Sequence, residues 1–230
     1  MILLALDTAT PVTAVALLED DKVLGQAFQP AKNHSVTLLP AIDRLLTDRS
    51  ISRALLGAVA AGVGPGSFTG VRVGLTLAKS LAFALDIDLV GVSTLQALAY
   101  NGRGGEADWI CPCLDALKKE IYGARYRMDG TREEAEAAHD PREWAEHLAK
   151  AGGRCLLLGT GISRYRDVFV EVLGERAVIP AEEELHQINA AKVGLLGLER
   201  LRRGEQDDPR TLEPTYCRLS EAELARLKKP

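Results

Sequence analysis

Gly64, Pro65, Gly66, Ser67, Thr69, Gly70 and Arg72 belong to one glycine-rich run, Gly62 to Gly74, that joins an apolar stretch to a helical pattern. A strand-to-helix junction of this kind can aim backbone N–H groups at an anion, with Ser67 and Thr69 adding hydroxyl donors. The run has no Gly-Lys-Ser/Thr as a Walker loop would, and its glycines are not spaced as in the dinucleotide fingerprint. It also reads, more simply, as a tight turn that uses glycine's permissive backbone, with Gly70 and Gly74 letting another helix come close. Asp7 and Thr8 end the first apolar stretch and are the second candidate, a carboxylate and a hydroxyl suited to a metal-bound phosphate. The β-carbons of Ala9 and Thr10 would crowd a phosphate held there by backbone amides. Asp7 then serves only as the cap of its own turn.

Other chemistries find less support. His34, His139, His147 and His186 are scattered, with no H-x-x-x-H pattern and no carboxylate cluster, so the ligands of a catalytic metal are not assembled. His34 reads as a hydrogen-bonded residue at a helix start. Cys111 and Cys113 miss the usual zinc spacing and read as two residues on one strand face. No G-x-S-x-G elbow surrounds Ser67. Asp115 and Glu120 could do acid/base work, but capping a hairpin is the simpler role. No catalytic residue and no metal ligand is therefore assigned.

The 230 residues carry a formal net charge of −4, with 47% hydrophobic and 26% charged side chains. Such a chain can bury a sizeable core and is long enough for two units of about 100 residues. Tight, autonomous RNA binding is not expected from this charge, so tRNA would be met only through a basic partner. No apolar run approaches the roughly 20 residues of a membrane span, and the opening MILLALDTAT lacks a basic leader and a small-residue cleavage site, so the cytoplasm is the expected location.

The apolar stretches Ile2 to Leu6, Thr13 to Glu19 and Lys22 to Phe28 read as strands. His34 to Leu46 has helical spacing, with Ser35 as cap and a bend at Pro40. A buried strand, Leu56 to Val63, leads through the glycine run into a helix, Val71 to Leu85, apolar nearly all round. Val90 to Ser93 is a strand, and Thr94 caps a helix to Tyr100. This order predicts an α/β fold of the ribonuclease-H/actin-like class, with a mixed sheet and flanking helices. The polar stretch Asn101 to Asp108 marks a boundary between units 1–104 and 105–230. The second unit restarts with strands at Trp109 to Leu114 and Ile121 to Tyr126, and Glu133 to Glu136 is left without structure. A helix to Lys150 opens at Asp140-Pro141, followed by a strand (Arg154 to Leu158) and helices at Ile162 to Leu173 and Ala190 to Arg203. Ser220 and Glu223 would form the capping box of a terminal helix, which could pack back on the first unit.

Read together, ILLALDTAT at the start, NHSVTLLPAI (Asn33 to Ile42), GPGSFTGVRVG (Gly64 to Gly74), LDALKKEIY (Leu114 to Tyr122) and EPTYCR (Glu213 to Arg218) resemble the TsaB (YeaZ) family nearly end to end. The resemblance implies two ribonuclease-H-like domains and a non-catalytic subunit. Its catalytic relative TsaD, with a histidine metal motif absent here, transfers threonylcarbamoyl to the adenosine 3′ of the anticodon in tRNAs reading ANN codons. It further implies pairing with TsaD through the two helices of the first domain, on this chain at Leu39, Ile42, Leu46, Gly70, Val73, Gly74 and Leu77. TsaE and TsaC complete the pathway, ATP and magnesium belong to the partner subunits, and a homodimer forms when TsaD is absent. Leu117 and Lys118 depart from an Arg-rich family pattern, and Cys217 stands where an aliphatic residue is common. The alternative from a different class is an actin-like ATPase or phosphotransferase using Asp7, Thr8 and the Gly64 to Thr69 loop.

Overall fold

The computed structural model describes residues 1–218, so the expected helix at Ser220 and Glu223 lies outside the described residues. The first sheet contains β1 (Ile2–Asp7), β2 (Val12–Glu19), β3 (Lys22–Pro30), β4 (Leu56–Gly62) and β5 (Asp88–Val92), in the order β3-β2-β1-β4-β5. β1 pairs antiparallel with β2 and parallel with β4, which makes the sheet mixed. Helix α1 (His34–Asp48) precedes β4, α2 (Phe68–Leu85) links β4 to β5, and α3 (Thr94–Tyr100) follows β5. Alternation along the central strands feeds two cores, as the period of two requires. Leu4, Leu6, Val15, Leu17, Val59 and Ala61 face α1 and α2. Leu3, Ala5, Ala14, Ala16, Ala58 and Ala60 form the opposite face.

The second sheet contains β6 (Trp109–Leu117), β7 (Glu120–Arg127), β8 (Arg132–His139), β9 (Cys155–Leu158) and β10 (Ala177–Val178), in the order β10-β9-β6-β7-β8. This is the first sheet's topology repeated, so the chain holds one fold twice, without internal sequence similarity. Helices α4 (Pro141–Ala151) and α5 (Thr160–Leu173) flank this sheet, and α3 covers its other face through Leu95, Leu98 and Ala99. Cys111 and Cys113 share one buried face of β6. Burial pushes both thiols up, away from the thiolate that binds zinc.

Helix α6 (Ala190–Arg202) belongs to 105–230 by sequence but packs on the first sheet, where Ala190, Val193, Leu196 and Leu198 join its alanine-rich face. Gly194 and Gly197 allow the approach, since a Cβ there would come within 3.0 Å of Leu18 or Ala60. Several local expectations are corrected. Asn33, not Ser35, caps α1, accepting from the Ser35 N–H at 3.1 Å, and the helix runs on through Pro40. Ser93, not Thr94, caps α3, which frees the Thr94 side chain for another bond. Residues 133–136 are strand, not irregular: β8 lies along β7 as an edge, with Arg132 and Glu133 exposed while Glu134 pairs with Arg125 and Glu136 turns inward.

Candidate functional site

Asp7 sits at the end of β1 with 1% of its surface exposed. Its Oδ1 accepts the Ala9 N–H at 2.7 Å, and its Oδ2 accepts the Thr94 hydroxyl at 2.7 Å. Burial raises its pKa to about 6, partly opposed by those two donors. The turn after Asp7 and the glycine-rich run close on each other. Ser67 N donates to Ala9 O at 2.7 Å, Thr8 Oγ1 donates to Gly70 O at 2.7 Å, and Ser67 caps α2 by accepting from Gly70 N at 3.2 Å. The Gly64–Pro65 peptide bond is cis. Gly64 has φ +95°, and its carbonyl accepts the Thr94 N–H at 2.8 Å.

These contacts explain the glycines. A Cβ on Gly66 would strike Ala9, one on Gly70 the Thr8 carbonyl and one on Gly74 the Thr8 hydroxyl, each closer than 3.0 Å. Gly70 and Gly74 therefore do not make a notch for another helix, as their spacing suggested; they admit the chain's own β1 turn. The two candidate groups, Asp7 with Thr8 and the Gly64 to Thr69 loop, do come together. They meet as packing partners, with the Ser67 amide on the Ala9 carbonyl, the Thr8 hydroxyl on the Gly70 carbonyl and the Gly70 amide on the Ser67 hydroxyl.

The residues expected at the partner surface divide. Ile42, Leu46, Gly70 and Gly74 are buried in the first core, whereas Leu39 is 44% exposed and Val73 and Leu77 are half-buried. Sequence reasoning missed Val36 and Phe83, at 66% and 71% exposure. Val36 and Leu39 thus stand exposed on α1, and Phe83 on α2 beside the polar side chains of Arg72, Thr76 and Ser80. Among the described residues α2 alone is long and apolar enough to cross a membrane. Its apolarity has another use here, since Gly70, Val71, Gly74, Leu75, Ala78 and Ala82 pack on the sheet.

His34 is buried at the start of α1, with Nδ1 2.8 Å from Thr13 Oγ1, as a hydrogen-bonded histidine should be. His186 accepts the Gly159 N–H on Nδ1 at 3.1 Å and faces Pro180 O with Nε2 at 3.0 Å, which fixes it as a structural residue. Asp115 caps its hairpin by accepting the Leu117 N–H at 3.0 Å and pairs with Arg164. Glu120 instead meets Arg218 at 2.6 Å, so the two carboxylates do not act as a pair. No three His, Cys, Asp or Glu side chains converge as metal ligands among the described residues.

Two features had no sequence signal beyond a capping pattern. Ser93 bonds Glu136 of β8, which also accepts the Tyr126 hydroxyl at 3.0 Å, tying the start of α3 to the second sheet. Residues 207–218 form a strap: Asp207 accepts from Gly91 N, Lys79 Nζ donates to Leu212 O at 2.9 Å, and Thr215 N donates to Val63 O.

The doubled sheet topology defines the actin-like fold class. An activator of 2-hydroxyisocaproyl-CoA dehydratase from Clostridium difficile shares this fold, at TM-score 0.54 and 8% identity over 94% of this chain and 100% of that one. The family model for TsaD, tRNA N6-adenosine threonylcarbamoyltransferase, matches residues 28–226. The TsaB protein of Bacillus subtilis is 35% identical over 97% of this chain and 96% of its own length, and that of Escherichia coli 34% identical over 80% and 84%. YeaZ from Pseudomonas aeruginosa superposes with TM-score 0.76 at 31% identity, covering 94% and 99% of the two chains. The chain belongs to the TsaB family.

Proposed function

We propose that this chain serves tRNA threonylcarbamoyladenosine biosynthesis as a non-catalytic scaffold. In this role it pairs with a TsaD subunit through the outer face of α1 and α2, and threonylcarbamoyl transfer to the adenosine 3′ of the anticodon takes place on TsaD. One observation carries the non-catalytic reading: the corner where an actin-like ATPase would hold phosphate is filled by the chain's own Thr8, Ala9, Ser67 and Gly70. A phosphate there would have to break these bonds and separate packed backbone. The same packing counts against the ATPase or phosphotransferase alternative. The names of the relatives support the pathway, and Val36 and Leu39 on α1 and Phe83 on α2 support the face, because large apolar side chains left exposed gain by being covered. TsaE and TsaC act in the same cytoplasmic pathway, ATP and magnesium are held by partner subunits, and tRNA is met indirectly. A homodimer through the same face forms when TsaD is absent.

The test is reconstitution with TsaD, TsaC, TsaE, threonine, bicarbonate, ATP and tRNA, omitting each protein in turn. Modified adenosine should require this chain, while the isolated chain shows no saturable binding of magnesium–ATP. Product formed without it, or micromolar nucleotide binding by it alone, would overturn the scaffold reading. Leu39→Glu and Phe83→Glu should each abolish pairing with TsaD without altering the fold, since both side chains point outward.

A further inference from the structure

Phe68, Arg72 and Tyr216 form a cluster for which closing the Asp7 corner has no use. Arg72 is exposed on α2, its guanidinium carbon 3.7 Å from the Phe68 ring centre and 5.6 Å from that of Tyr216. Arg72 Nε donates to the Tyr216 hydroxyl at 2.7 Å, and the two rings lie 5.2 Å apart. Tyr216 is held in turn by its chain neighbours, Thr215 bonding Val63 and Arg218 bonding Glu120. The guanidinium plane is thus fixed from one face and from Nε. Its Nη1 and Nη2 have no acceptor among the described residues.

A guanidinium held this way presents the two-pronged edge that matches a carboxylate through parallel hydrogen bonds. The surroundings favour an anion as well, because α2 has no acidic residue in its first turn to answer the positive end of its dipole. Arg72 also heads the exposed stripe Arg72, Thr76, Ser80, Phe83, at the spacing that keeps residues on one side of a helix. Aromatic and arginine side chains that are rigid before binding are the usual energetic anchors of protein interfaces.

We propose that Arg72, seated on Phe68 and Tyr216, docks a carboxylate side chain of the protein partner that covers the α1–α2 face; this rests on reading that face as the partner surface. Charge favours a protein carboxylate over nucleic acid. The chain carries −4 overall, and Lys79, the next cation along α2, is engaged with Leu212 O. A polyanion needs several cations to displace its counterions, whereas one fixed guanidinium suffices for one carboxylate.

The test is titration calorimetry of the full-length chain against the TsaD subunit of the same organism at low and high salt, with R72K, R72Q and F83E beside the wild type. R72Q should weaken binding by about 10- to 100-fold, and R72K by nearly as much, because an ammonium cannot make the fork. The salt dependence of the affinity should shrink in both, and their melting temperatures, compared with wild type, report on folding. If both arginine variants bind as tightly as wild type while F83E does not bind, the carboxylate is refuted and the face stands. If the wild type itself does not bind, both readings fall. If R72K leaves TsaD affinity unchanged but lowers tRNA retention or self-association, Arg72 serves a phosphate or a second copy, and the proposal is overturned.

Discussion

Asp7 keeps its carboxyl group buried at the end of the central strand of the first sheet with an amide and a hydroxyl for partners. Its pKa of about 6, against 3.8 in the unfolded chain, means that the folded state holds the extra proton between those values. Stability from this group is therefore greatest below pH 3.8 and falls as pH rises through 6, by up to about 3 kcal/mol. His34 works the other way. Burial lowers its pKa, against a weaker opposing bond to Thr10, so the unfolded chain binds its proton more readily and stability is lost as pH falls below 6.5. Urea titrations between pH 4 and 8 should show Asp7→Asn removing the first slope and His34→Gln the second. Gly70 offers a separate test of the closed corner. Gly70→Ala should destabilise the isolated chain by about 1–3 kcal/mol, because the new methyl meets the Thr8 carbonyl, and a rigid backbone cannot yield cheaply. Unchanged stability with weakened partner binding would return Gly70 to the interface role its spacing suggested.

Among the elements, the β6–β7 hairpin is the one built against local preference. Leu117, Lys118 and Lys119 have φ of +61°, +51° and +67°, a run of left-handed conformations that costs residues with a Cβ roughly 1–2 kcal/mol each. Asp115 holds the turn from one side by accepting the Leu117 N–H, and Arg164 holds Asp115. Lys119→Gly should therefore stabilise the protein, by about 1 kcal/mol after glycine's larger entropy loss, visible as a raised melting temperature. A lowered melting temperature would mean that the Lys119 side chain contributes more than its backbone costs. Helix α2 shows the opposite case, agreement at every level. Ser67 caps it, its glycines admit the β1 turn, and its aliphatic residues fill the core.

At the scale of the whole molecule, the chain does not divide into two independent halves at residue 104. Helix α6 returns to cover one face of the first sheet, and the strap from Asp207 to Arg218 runs past β5, α2 and the glycine-rich loop to reach Glu120 on the second sheet. A fragment of residues 1–104 would expose Leu3, Ala5, Leu18, Val90 and their neighbours to water. It should fail to fold cooperatively alone, as judged by circular dichroism and thermal melting. Addition of residues 105–230 in trans should restore the transition. A cooperative melt of the first fragment alone would show that α6 is dispensable.

The sequence by itself determined most of the elements, because apolar periods of 2 and 3.6 and the residues at turns are local properties. It also identified the family, through Gly64 to Gly74 and the motifs around it. β8 escaped that reading because the run Arg132 to His139 is polar and becomes a strand only by bonding to β7. Only the tertiary structure decided what the glycines face, which carbonyls and hydroxyls close the Asp7 corner, where α6 packs, and which apolar residues of α1 and α2 remain outside. Each of those depends on atoms distant in sequence meeting within a few ångströms, and no local pattern of residue types carries that distance.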